Sequence, residues 1–443
     1  MKKIVVAGGG HGGIAAASLL ARAGYDVTVY EKNAEENMGY DWTDIFAPGA
    51  LKTAGFPPVP EEKYTYKDNM TFYGPGFRTA LRQDIPADKL EIKMERRDIY
   101  AHIISAARTN GAKFEFNCGV LGPMTLGNRV VGIKTENGEV YADLVIDACG
   151  IDSPVKKGLP AVCGVNGETG KNNRFYVYRA FYNRTGEGEV KDKYKVCLFS
   201  EGKLGIGWIA TEEEYTDVLI GRFEPFDLEE AKRTTDYYRE SNPSIGTELK
   251  RGGSFVSIPV RQPLSRLVCD GYAAIGDSAY MTVPIIGSGI ANSFKAAKML
   301  FNVIKKDSGG AYSQDTLWDY QVKYYKELGA GFAVLACVKE ALTVLTPDEA
   351  DYLFDSGVIN AKDMSIDADS TDIMKIVSGN KPNDIKKKVT GVVKDSVLFK
   401  KMLPVGKKIT AVASVTAAMP KRYSKTAVDK WVSAYEKAIS MKI

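Results

Sequence analysis

Two glycine-bearing stretches, far apart in the chain, carry residue types whose spacing can hold a dinucleotide. The first reads Gly8-Gly9-Gly10-His11-Gly12-Gly13, a GxGxxG that follows an apolar run and opens an alanine- and leucine-rich stretch. Glu31 lies 18 residues after Gly13, with Lys32 beside it. Each glycine meets a separate steric demand: Gly8 a tight turn, Gly10 the close approach of a pyrophosphate, Gly13 the packing of a helix on a strand. A helix starting there offers unbonded N–H groups to the anion, with His11 and Gly12 in its first turn, and Glu31 can accept from ribose hydroxyls. The second stretch, residues 271–291, reads GYAAIGDSAYMTVPIIGSGIA. A short strand runs into Gly276-Asp277, and Gly287-Ser288-Gly289 opens another helix at Ile290. An Asp at a strand end can hold a ribitol hydroxyl, while Gly-Ser-Gly at a helix start offers N–H groups to the pyrimidine edge of a flavin. An ordinary strand–turn–helix would show the same residues, so the pattern alone leaves NAD and FAD both open.

The elements that must position these residues are partly visible in the periodicity. Ile4-Val5-Val6 reads as a buried strand, residues 14–23 as a helix and residues 25–30 as a second strand, together a βαβ unit. Residues 39–60 read as irregular and aromatic, with Trp42, Phe46 and Phe56 among prolines and glycines. A helix is predicted over 98–110, then strands at 113–116, 129–135 and 144–146, with a hairpin signal at Asn137-Gly138. From about residue 164 to 259 the segments RFYVYRAFYN, YKVCLFS, LGIGWIA and DVLIGRF predict an antiparallel sheet. Residues 272–275 form a further short strand, 289–304 a helix, and from Leu317 onward the chain is helical and amphipathic. The expected class is α/β. A Rossmann-like dinucleotide domain would combine 1–163 with 260–315, an inserted antiparallel substrate sheet would span 164–259 with part of 40–95, and a C-terminal helical region would span 316–443.

Composition narrows the functional classes. The 443 residues, 44% hydrophobic and 26% charged, exceed one core and exclude disorder, collagen or coiled coil as whole-chain answers. A net charge of +4 gives no ground for nucleic-acid binding. His11 and His102 are the only histidines, which argues against a histidine-rich metal site or a Ser-His-Asp triad. The six cysteines contain no CxxC pair and read as reduced thiols. The longest uncharged apolar run, Leu328 to Val338, is too short to cross a bilayer, and no signal-peptide pattern is present. A cytoplasmic protein, soluble or peripheral at the inner membrane face, is expected. Charge is uneven, with 15 Lys/Arg against 4 Asp/Glu in residues 381–443. A solvated helical tail is the plainer reading of that stretch; a face for anionic lipid is the sharper one.

The spacing of GGGHGG, Glu31 and GDSAYMTVPIIGSGI resembles the FAD-binding flavoproteins of the para-hydroxybenzoate hydroxylase fold, and among them the geranylgeranyl reductase-like branch, over roughly residues 1–310. The resemblance implies FAD on Gly8–Gly13 and Glu31. It also implies Arg96 of MERRDIYAHII reaching the cofactor, the Val120 backbone meeting the adenine, Asp277 on the ribitol and Gly287 to Ile290 at the flavin edge. The hydroxylases' ADGxxSxVR stretch reads here Ala148-Cys149-Gly150-Ile151-Asp152-Ser153-Pro154-Val155-Lys156. Gly150 remains, Cys149 replaces the Asp and Lys156 the Arg. In hydroxylases that motif is associated with NADPH as well as FAD, so its erosion argues against a monooxygenase. Of the reductases' YxWxFP motif only Trp208 is kept. Where archaeal reductases place a cysteine and glycine after the second strand, the chain has Gly39-Tyr40-Asp41-Trp42-Thr43-Asp44.

A flavin brings its own hydride chemistry, and the protein must bind, orient and furnish a proton. Tyr40, Asp41 and Asp44 sit in the loop that, by resemblance, passes over the flavin. Asp41, beside Trp42 in an apolar pocket, could hold its proton near neutrality; as plain loop residues both aspartates would cap backbone instead. Trp42, Trp208, Tyr176 and Tyr178 are the expected substrate contacts, the two tyrosines sharing one strand face. The reading is an FAD-dependent oxidoreductase that reduces or dehydrogenates carbon–carbon double bonds of an apolar, isoprenoid-type substrate. Its electrons would come from NAD(P)H, ferredoxin or another reduced carrier. The competing readings are an NAD(P)H-dependent FAD monooxygenase and a flavin electron-transfer protein.

Overall fold

A computed structural model describes residues 2–165, 173–186, 190, 192–364, 388 and 390–443. At its centre is a six-stranded sheet ordered Val268–Cys269, Tyr272–Ala274, Leu144–Asp147, Lys3–Ala7, Asp26–Tyr30 and Lys113–Glu115, parallel except at the first pair. Ile4, Val5, Val6 and Ala7 are wholly buried. Layers cover both faces of a parallel sheet, which is why this strand reads as an unbroken apolar run. The helix His11–Arg22 packs against the helix Ile290–Ile304, with Ile14 to Ala17, Leu19 and Leu20 buried. Small residues allow that crossing: a Cβ on Gly12 would sit 3.1 Å from that of Ser293. The Asn137-Gly138 turn joins Arg129–Thr135 to Gly138–Tyr141 as an antiparallel hairpin.

A seven-stranded sheet follows the order Ile245–Pro259, Arg174–Arg184, Tyr215–Arg222, Gly205–Thr211, Tyr194–Leu198, Asn69–Tyr73 and Ala80–Asp84. It is antiparallel except where Tyr194–Leu198 lies beside Asn69–Tyr73. Two elements in this region were not visible in the periodicity. One is the 15-residue strand Ile245–Pro259, and the other is the helix Leu228–Ser241. The helix starts at Asp227, whose carboxylate accepts the Glu230 amide at 2.8 Å, and buries Ala231, Thr234, Thr235 and Tyr238. The segment 39–60, read as irregular, also acquires regular structure, because Thr43–Phe46 pairs with Glu91–Glu95, which Tyr64–Lys67 flanks on its other side. These are four- and five-residue strands whose partners lie far along the chain, so local pattern could not announce them.

Beyond Ile304 the chain is helical: Gln314–Tyr324, Ala330–Leu342, Pro347–Asp355, Ser396–Ala417 and Lys425–Ile439. Much of this region shares the dinucleotide domain's core, since Trp318, Tyr320, Tyr324, Tyr325, Trp431 and Tyr435 belong to the same buried cluster as Ile4 and Val6. Buried tyrosine hydroxyls need partners. Tyr320 donates to the Ala274 carbonyl at 3.0 Å, Tyr325 to Leu264 at 2.7 Å and Tyr435 to Pro263 at 3.1 Å. The C-terminal helices thereby brace the segment that leads to Asp277. No single helix among the described residues is long and apolar enough to cross a membrane.

Candidate active site

Between the two large sheets lies a cavity of about 1100 Å³, and both glycine-bearing stretches reach it. Gly10, His11 and Gly12 come from the first stretch, and Gly276, Asp277, Gly287, Ser288, Gly289 and Ile290 from the second, with Gly150 and Arg96 beside them. Gly8 and Gly13 lie beneath the loop. Gly8 has φ +91°, and a Cβ there would stand 2.6 Å from the Ala148 carbonyl oxygen; one on Gly13 would stand 2.7 Å from the Ala148 Cβ. Gly10 differs: its added Cβ would meet only the Ala148 oxygen, at 3.1 Å, so its backbone is open to a ligand. Glu31 fixes the loop's shape by accepting the Gly9 amide at 2.7 Å and the Asn33 amide at 2.9 Å. Glu31, Lys32 and Val120 lie outside the cavity wall, Val120 two residues after Cys118, whose amide donates to the Glu31 carbonyl.

These residues fit a bound dinucleotide. Neither helix that opens on the cavity has a side-chain cap or an acid in its first turn, so the first N–H groups are available to phosphate and ring oxygens. His11 Nε2, Arg96 Nε and both amide atoms of Asn292 are buried without hydrogen-bond partners among the described residues. Unpaired buried donors are costly, and acceptors on a ligand would satisfy them. Burial, reinforced by the Arg96 cation, holds His11 well below the usual histidine range, so its imidazole is neutral. Asp277 accepts the Thr282 hydroxyl at 2.6 Å, and burial raises its carboxyl pKa.

The turn that departs from the hydroxylase pattern has its own bonding. Asp147 is fully buried and accepts from Ser153 Oγ at 2.6 Å, Tyr272 Oη at 2.9 Å, Ser278 Oγ at 3.0 Å and the Cys149 amide at 3.1 Å. Lys156 donates to the carbonyls of Ser278 at 3.0 Å and Ile151 at 3.2 Å, and its ammonium lies 4.1 Å from the Tyr280 ring centre. The lysine thus ties residues 148–156 to the turn that carries Asp277. Burial depresses its pKa to about 8.

The loop at 40–45 separates the expected proton donors. Tyr40 and Asp44 face the cavity, whereas Asp41 does not. Asp44 accepts Arg96 Nη1 at 3.0 and 3.1 Å, and that guanidinium lies 4.4 Å from the centre of the Tyr40 ring, which meets Trp42 edge-on. Asp41 pairs with Arg251, accepts the Gly252 amide at 2.9 Å and has Arg97 at 3.7 Å. The expectation that Asp41 lies in an apolar pocket beside Trp42 is therefore corrected. Arg251 and Gly252 belong to the long strand Ile245–Pro259, some 210 residues away.

The two tyrosines of the strand Arg174–Arg184 are a second correction. Phe175, Val177 and Arg179 line the cavity, and Tyr176 and Tyr178 do not. Tyr178 is 2% exposed and packs with Phe255, Tyr182 and Tyr238 on the face covered by the helix Leu228–Ser241. Trp42 and Trp208 do line the cavity. Arg179, not singled out by the sequence, clamps the loop to the sheet: it donates to Asp217 at 2.8 Å and the Thr43 carbonyl at 2.6 Å, with Trp42 against its guanidinium. Val334, Leu335, Val338 and Leu342 form a further wall. The one sequence signal for the first three was the apolar run Leu328 to Val338.

Comparison with known proteins agrees with this geometry. Residues 6–50 match an NAD(P)-binding Rossmann-like domain. The digeranylgeranylglycerophospholipid reductase of Sulfolobus acidocaldarius is 23% identical over 418 residues, covering 90% of this chain and 89% of that protein. The enzyme of the same name from Haloferax volcanii is 25% identical, covering 67% of this chain and 74% of that protein. In fold, a geranylgeranyl bacteriochlorophyll reductase-like protein of Thermoplasma acidophilum superposes with a TM-score of 0.73 at 22% identity, covering 88% of this chain and 99% of that one. A probable FAD-dependent monooxygenase of Pseudomonas aeruginosa superposes at 0.57 with 17% identity, over 85% and 98% of the two chains. The chain is thus similar to proteins named as digeranylgeranylglycerophospholipid reductases over most of its length.

Proposed function

We propose that this FAD-dependent oxidoreductase saturates carbon–carbon double bonds of a long, apolar, isoprenoid-type substrate. The observation that supports the reading is the wall beyond the dinucleotide cradle, where Phe175, Val177, Trp208, Leu219, Phe223 and Val338 present aliphatic and aromatic surface. The relatives named as reductases point the same way. FAD held there and reduced by an electron donor would supply the hydride; this chain's residues exclude water, align the alkene and hold a proton. The Tyr40 hydroxyl, which faces the cavity and is protonated at neutral pH as phenols are, holds it. Asp44 is a positioning residue, fixing the Arg96 guanidinium beneath the Tyr40 ring. Trp42 and Trp208 flank the substrate path.

The test uses holoenzyme reduced with dithionite under anaerobic conditions, then mixed with a geranylgeranyl-bearing lipid or a small aromatic acid. Flavin reoxidation by the lipid alone, with two hydrogens gained per double bond, is expected. Hydroxylation of the aromatic acid once oxygen is admitted to a parallel sample would establish the monooxygenase instead, and failure of every isoprenoid to reoxidise the flavin would end the reductase reading. Tyr40→Phe should slow turnover at least about tenfold at unchanged FAD content. Unchanged turnover would leave Tyr40 only a packing role.

A further inference from the structure

The helix Ser396–Ala417 presents a face that the cavity does not use. Leu398, Val405 and Val412 are buried, and Lys401 and Lys408 are spent on internal pairs with Glu349 at 2.7 Å and Glu340. The outward side carries large apolar groups instead, Phe399 at 40% exposed and Leu403 at 47%, and Val393, 50% exposed in the segment before the helix, lines the same groove. This surface lies N-terminal to the apolar stretch 409–418, of which Val412 and Thr416 are buried. Phe399, Leu403 and Gly406 border a groove of about 780 Å³. Around it Lys394, Lys400 and Lys407 are exposed and make no ion pair among the described residues. No acidic residue occurs between Asp395 and Asp429. The groove adjoins the large cavity at Lys388, which lines both. There Lys388 pairs with Asp363, which lines the cavity.

We infer that this face docks on an anionic lipid leaflet, with Val393, Phe399 and Leu403 inserted among acyl chains, and that the groove leads lipid past Lys388 into the cavity. Exposed apolar surface flanked by unpaired cations and free of carboxylates matches a surface that is apolar within and negative at its headgroups. The portal half of the inference rests on the reductase reading; the docking half does not.

Holoenzyme is sedimented with vesicles of phosphatidylglycerol or of phosphatidylcholine, at low and high salt. The wild type should pellet with phosphatidylglycerol at low salt, and Phe399→Glu/Leu403→Glu should cut the bound fraction at least about fivefold. Leu126→Glu, which alters an apolar residue 77% exposed on a distant hairpin, should bind as wild type. Flavin absorbance and melting temperature confirm that each variant is folded. The double variant should also lose turnover of vesicle-embedded substrate while keeping that of detergent-dispersed substrate. Wild-type protein left in the supernatant, or a double variant that binds normally, overturns the inference. So does a dimer in sedimentation velocity that the double variant dissociates. Protein that binds vesicles through this face yet reduces no isoprenoid would leave the docking face standing and remove the reductase reading.

Discussion

The two halves of the cavity were assembled by different means. On the dinucleotide side, each contact belongs to a short contiguous stretch in which glycines, a strand end and a helix start follow one another within a few residues. On the substrate side, the wall draws residues from strands of the large sheet, mostly at alternate positions, and from helices after residue 330. The first kind of site depends on backbone shape, which glycine placement encodes locally. The second depends on which face of each strand is covered, and that is set by packing partners elsewhere in the chain.

The contrast can be broken most severely at Gly10. Gly10→Leu places a side chain where the backbone must meet a pyrophosphate, and should yield folded protein without flavin absorbance. Retained stoichiometric FAD would mean that the loop holds the cofactor in some other way. The substrate side should respond to parity along one strand. Val177→Trp fills the cavity and should raise the KM for an isoprenoid at least about tenfold at constant FAD content, because overpacking removes the room the chain needs. Tyr178→Phe, one residue along and on the covered face, should leave KM unchanged. Equal effects at both positions would refute the assignment of faces.

A smaller effect distinguishes the buried lysine that joins the two cofactor turns. Lys156 has a folded pKa near 8 against an ordinary value of 10.5, so between those values the unfolded chain binds the extra proton. Stability should therefore rise as pH increases from about 8 towards 10.5, by up to roughly 3 kcal/mol if this group acts alone. Lys156→Met should flatten that part of the curve in chemical denaturation. A slope unchanged by the substitution would assign the pH dependence to other groups. The smallest effect belongs to Asp41→Asn, which should keep turnover within about twofold of wild type, since its carboxylate meets Arg251 and not the cavity. A drop of tenfold would restore it as a proton donor.

The sequence by itself determined the βαβ unit, the glycine loop with Glu31, the second cradle around Asp277 and the presence of an inserted sheet. Those features follow from residues within a few positions of one another, where φ preferences, helix starts and apolar runs act directly on the chain. It also brought Tyr40, Trp42, Asp44 and Trp208 to notice. Only the tertiary structure decided that Asp41 turns to Arg251, that Phe175, Val177 and Arg179 face the cavity in place of Tyr176 and Tyr178, and that residues 334–342 close its wall. Alternation along a strand says that every second residue shares a face, and both faces of Arg174–Arg184 carry large side chains. Which face meets a helix and which meets a cavity is fixed by Leu228–Ser241 packing on one side, a contact between segments that share no local pattern.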